Sequence, residues 1–165
     1  MINKKFLSVL LWLLVIFSGI AAGAGIYEAR VMFPLWLTAT GDTLTWNASV
    51  AASSDPGLKF WAFVTTGPLT LLTLIIIFLV WRTRGELRKW LLLTVVLLLI
   101  DRLMTFTYFI PTMVGLMSDS LDPAKAAEIA KQWGDMNIVR LTIAGLAFLA
   151  ALKTFAVHYS VSSRK

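Results

Sequence analysis

Four apolar runs, residues 6–33, 60–81, 90–110 and 138–157, constrain this chain more than anything else in it. A helix rises about 1.5 Å per residue, so each run is close to the length that crosses a hydrocarbon core of about 30 Å. The runs use up most of the 165 residues and leave no room for a separate soluble module, so residues 1–165 read as one four-helix integral membrane domain. The composition agrees: 58% hydrophobic, 15% charged and a mean hydropathy of +0.79, against about 25% charged in soluble domains. The expected fold is an all-α membrane protein, a four-transmembrane-helix up-down bundle with small outer-face loops.

The charge pattern sets an orientation. Lys4 and Lys5 precede the first run, Arg82, Arg84, Arg88 and Lys89 lie between the second and third, and Lys153, Arg164 and Lys165 close the chain. Basic residues accumulate on the cytoplasmic side, so both termini and the short loop are expected there, and the expected location is a bacterial inner (plasma) membrane. A cleavable signal peptide is the competing reading of the first run, and the apolar character persisting to Val31 and Met32 argues against it. The net charge of +6 sits at the edges of apolar runs, which excludes nucleic acid as a partner and leaves the lipid bilayer.

The outward connections, about residues 37–59 and 111–136, are rich in Thr, Ser, Asp, Gly and Pro. The first suits a short hairpin, with "DPG" at Asp55 to Gly57 as a turn signal and "NAS" at Asn47 as a sequon too common to carry weight. In the second, Asp122 and Pro123 suit the start of a short capping helix. Trp36, Trp46, Trp61 and Trp133 outside, and Trp12, Trp81 and Trp90 inside, fit interfacial belts, although Trp36 and Trp133 also suit a pocket wall.

Cysteine is absent, which removes disulfides and thiolate chemistry, and the lone His158 rules out a bis-His haem within one chain. It reads as a solvated histidine at the cytoplasmic end. No cofactor and no metal are expected.

Ionisable residues inside the spans carry the functional question. "LLIDRLMTFTYFIP" puts Asp101 and Arg102 in the middle of the third run, and Asp101, Thr105, Tyr108 and Thr112 share a helical face. Tyr27, Glu28 and Arg30 approach the same level from the first helix, and Asp135, Asn137 and Arg140 from the fourth. The second adds Thr65, Thr66 and Thr70, with Pro68 expected to bend it. A charge at this depth costs about 2.5 to 3.5 kcal/mol, so the acids and bases are expected to pair, Asp101 with Arg140 and Arg102 with Glu28 or Asp135. Asn137 and Tyr108 would complete the hydrogen bonds. Gly19, Gly23 and Gly25 slim the first helix, for close packing or for a ligand. Two readings carry equal weight: staples holding helices in register, or an outward-facing pocket for a polar or aromatic molecule. Assembly into a homo-oligomer is a third.

"GIYEARVMFPLW" and "WGDMNIVRLTIAGLAFLAALKTF" resemble the small four-helix membrane proteins grouped with the anthrone oxygenases. The resemblance spans nearly the whole chain: Pro34 ending the first helix, a basic inner loop, the aromatic-Pro step Phe109 to Pro111, and Trp133, Asn137 and Arg140 opening the fourth helix. Met136 departs from the pattern, which has tryptophan there. What the resemblance implies is a polar site involving Asn137 and Arg140 and oxidation of an aromatic, quinone-like molecule. Asp101 or Glu28 would be the catalytic base, with Arg140, Asn137, Arg102, Tyr108, Trp133 and Tyr27 contacting substrate. The alternative is a non-enzymatic binding or transport component, or a structural subunit.

Overall fold

A computed structural model describes residues 3–54, 56–118 and 120–162. Its long helices are α1 (Lys4–Trp36), α3 (Gly57–Val80), α4 (Gly85–Met117) and α5 (Pro123–Ser162), each long and apolar enough to cross a membrane. Between α1 and α3 come a two-stranded antiparallel hairpin, β1 (Leu37–Thr40) and β2 (Thr43–Trp46), and a short helix, α2 (Ala48–Ser54). The chain is therefore an integral membrane four-helix bundle. The hairpin lies at one end, and the two helix termini meet at the other, where Ser8 Oγ is 2.9 Å from His158 Nε2. His158 is buried at 8% exposure, not solvated as expected, because the first turn of α1 covers it.

Several boundaries differ from the sequence expectation. The capping helix expected near Asp122 is the start of α5, which runs unbroken for 40 residues, about 60 Å at the usual rise. Asp122 does cap it, its Oδ1 accepting from the N–H of Ala124 at 3.0 Å and Lys125 at 3.2 Å. Asp55 of the "DPG" signal lies outside the described residues; Pro56 and Gly57 are helical and lead into α3. Arg164 and Lys165 also lie outside them.

Pro34 and Pro111 do not end their helices. Proline would clash with the carbonyl four residues back, and the chain answers by widening the preceding turn. The residue before each proline donates to the carbonyl five residues back: Phe33 to Glu28, Gly67 to Ala62, and Ile110 to Thr105. Segments Glu28–Met32, Gly57–Thr66 and Thr105–Phe109 are π-helical as a result. π turns gather at functional sites because they open the helix wall and turn side chains out of register.

The half of the bundle near the termini is a dry core of Leu7, Leu11, Leu14, Leu72, Ile76, Leu91 and Val95 from α1, α3 and α4 against Ala147 and Ala151 of α5. Lipid tails are as apolar as leucine, so close packing through small residues holds such helices together. At the hairpin end the same rule is sharper: a Cβ on Gly134 would lie 2.6 Å from two ring carbons of Phe33, whereas one on Gly23 meets open space. Gly134→Ala should cost about 1 to 3 kcal/mol by overpacking and Gly23→Ala next to nothing. Melting curves in the same detergent check this; equal curves would remove the packing argument.

Candidate functional site

The π turn of α1 carries Glu28 into the bundle, where it is 6% exposed. Trp61 of α3 donates its indole N–H to Glu28 Oε1 at 2.7 Å, and Arg140 Nη2 of α5 lies 3.6 Å from Oε2. The Arg140 guanidinium sits 4.3 Å from the Phe109 ring centroid of α4 and 5.8 Å from that of Trp61. One carboxylate and one guanidinium thus tie four helices together.

Asp101 and Arg102 form a second pair. Arg102 folds back on its neighbour, donating from Nε at 3.0 Å and also from Nη2, both to Asp101 Oδ2. Both side chains are largely buried, at 11% and 6% exposure. No described residue donates to Oδ1 of Asp101, and Nη1 of Arg102 is buried without a partner. The pairs expected from the sequence, Asp101 with Arg140 and Arg102 with Glu28 or Asp135, are not formed among the described residues. Arg140 is taken by Glu28, the arginine stem is long enough to curl back along its own helix, and Asp135 lies exposed, paired with Lys131 at 2.9 Å.

Both pairs border a cavity of about 750 Å³ between α3 and α4, within the range of about 300 to 1,000 Å³ typical of small-molecule sites. Glu28, Asp101, Arg102 and Arg140 form its polar wall. Trp36, Trp61, Phe109 and Trp133 supply aromatic surface, and most of what is left is aliphatic. Trp36 is 1% exposed and its Nε1 has no partner among the described residues. Trp36 and Trp133 are therefore buried, not belt residues, because the hairpin and the start of α5 cover them.

The other sequence-derived candidates fall elsewhere. Tyr108 was expected beside Asp101 on one face, but the π turn at Thr105–Phe109 puts in the equivalent of one extra residue, and Phe109 faces the cavity in its place. The Tyr108 hydroxyl is buried without a partner among the described residues, and its ring lies edge-on to Phe109 at 5.1 Å. Tyr27 is 57% exposed and does not line the cavity. Asn137, 1% exposed, lines a smaller space of about 280 Å³ with Phe33 and Gly134, its Oδ1 without a partner among the described residues. Trp133 stacks on Phe33 at 5.5 Å and donates to the Phe109 carbonyl at 3.3 Å. Sequence reasoning missed Trp61 as the donor to Glu28, and named Phe109 in the aromatic-Pro step but not as a site residue. Nothing in the sequence separates Trp61 from an interfacial tryptophan, but the Pro111 step announces the π turn that brings Phe109 inward.

The wall thus combines a carboxylate whose Oδ1 takes no donor among the described residues, a guanidinium held between two aromatic rings, and an apolar surround. A family model described as anthrone oxygenase matches residues 58–150, more than half of the chain, including Asp101, Arg102 and Arg140. No curated protein and no solved structure matches it.

Proposed function

The chain belongs to the anthrone oxygenase family, and from that membership we propose that it oxidises an anthrone-like polycyclic ketone to the quinone with dioxygen, inside the membrane. The single observation that carries the reading is that buried Asp101, whose Oδ1 takes no donor among the described residues, lines the same aromatic-lined cavity as Arg140.

In this reading Asp101 Oδ1 removes a proton from the ring methylene of the substrate. The resulting aromatic enolate keeps its oxygen near Arg140, whose positive charge stabilises it as it forms. The electron-rich carbanion gives its electrons to dioxygen: a C–O bond forms at the former methylene, and the peroxide takes the proton back from Asp101 to give a hydroperoxide. Asp101 then removes the remaining C–H proton as the O–O bond breaks, and the departing hydroxide leaves with that proton as water, so that the carbon becomes the second carbonyl. The balance is one ketone and one O₂ in, one quinone and one water out. Glu28 is not assigned the base, because the Trp61 N–H and Arg140 occupy both its oxygens. Asn137 faces the smaller space, so the anion is left to Arg140. We also place the arginine-rich end in the cytoplasm, following the charge asymmetry.

The test is oxygen uptake by the purified protein in lipid nanodiscs with an anthrone, against protein-free nanodiscs, since anthrones oxidise slowly unaided. Uptake of one O₂ per quinone formed is expected. A rate equal to the protein-free one, from a protein with a cooperative melting transition, would overturn the reading.

A further inference from the structure

We infer that the cavity is filled sideways from the bilayer, through the gap between α3 and α4, and that its ligand is a neutral polycyclic aromatic dissolved among the acyl chains. The ligand class rests on the function proposed above; the route rests on geometry.

Near the termini α3 and α4 share one apolar core, Leu72 and Ile76 against Leu91 and Val95. Towards the hairpin the cavity separates them and is lined from both. Its lining changes from buried to exposed along this path. Asp101 is 4% exposed and Phe109 2%, whereas Leu71 is 61%, Leu74 60%, Phe106 49% and Val114 59%. These four are large apolar side chains in membrane-spanning helices, so what they face is lipid. At the hairpin end α1, α2 and α5 cover the lining, Trp36 and Ala51 being 1% exposed and Trp133 3%, and what stays exposed there, Gly57 and Leu58 at the start of α3, continues the apolar rim. The cover is tied down, Trp46 donating to the Leu116 carbonyl of α4 at 2.9 Å and the Asn47 N–H to the Trp36 carbonyl at 2.7 Å.

A water-soluble or charged molecule would have to cross that cover or pass an apolar rim where no hydrogen bond replaces its hydration. A neutral aromatic partitions into the bilayer, reaches the rim already desolvated, and becomes charged only beside Asp101.

The test follows binding, not turnover. Anthraquinone quenches tryptophan fluorescence, and Trp36, Trp61 and Trp133 line the cavity, so stopped-flow quenching of nanodisc-embedded protein reads its arrival. Narrowing the rim with Leu74→Phe and Val114→Phe should slow both arrival and departure at least tenfold while the equilibrium affinity changes less than threefold. Widening it with Leu74→Ala and Val114→Ala should speed both, and Thr43→Phe, on the exposed hairpin, should leave both within twofold. Rim variants at the parental rate, slowing by the hairpin variant instead, or no quenching of the parent protein would each overturn the inference. Quenching through the rim without oxygen uptake would remove the enzymatic reading and leave the route standing.

Discussion

Asp101→Asn is expected to lower the oxygen-uptake rate with an anthrone at least 100-fold, the lower end of the roughly 10²- to 10⁴-fold range of a positioned general base. Asparagine keeps the shape and still accepts from Arg102, but it takes no proton from carbon. The substitution also leaves Arg102 charged without the carboxylate it pairs with, at a cost of a few kcal/mol. Instability could therefore imitate catalytic loss. The double variant Asp101→Asn with Arg102→Gln separates the two, since it removes both charges: its melting temperature should return towards the parent's while its activity stays lost. Anthraquinone quenching should persist in it. If activity returned with stability, Asp101 would be structural; if Glu28→Gln lost activity and Asp101→Asn kept it, the base would be Glu28.

What the sequence disclosed and what it hid divide along a physical line. Span number and the shared end of the termini follow from run length and apolar content, which the bilayer enforces on every residue. The hairpin was legible from its alternating Thr and Trp positions, but its turn lies at Gly41, φ 60, and not at the "DPG" signal, whose Pro56 and Gly57 are helical. The convergence of Glu28, Asp101, Arg102 and Arg140 on one depth was legible because helical rise is fixed. Their partners were not. Counting positions at about 100 degrees per residue assumes an unbroken α-helix, and three of the four spans break that rule just before a proline, which is why Phe109 and not Tyr108 reaches the cavity. The curl of Arg102 onto Asp101 depends on a rotamer, not on residue spacing. Trp61 was hidden for another reason: a tryptophan near the end of a span suits an interface equally well, and only its neighbour across the bundle, Glu28, distinguishes it.

The second large effect concerns stability and falls on Glu28. Glu28→Gln leaves the Arg140 guanidinium unbalanced between Phe109 and Trp61, and two independent scales agree on the size of the loss. An uncompensated charge at membrane depth costs about 2.5 to 3.5 kcal/mol, and breaking a buried ion pair from one side costs about 3 to 5 kcal/mol. For a chain of this size each kcal/mol moves the melting temperature by about 2 to 4 °C, so a fall of roughly 5 to 20 °C is expected. Trp61→Phe removes one hydrogen bond to the same carboxylate, worth on average only about 0.6 kcal/mol between membrane helices, and should move the transition much less. Arg140→Met strands Glu28 and should match the loss of Glu28→Gln. With both substitutions together no charge is left to balance, so the double variant should melt above either single one. Such a coupling is the signature of a direct pair. Simple addition of the two losses would mean that the 3.6 Å approach of Arg140 to Glu28 contributes nothing, and that the four helices are held by packing alone.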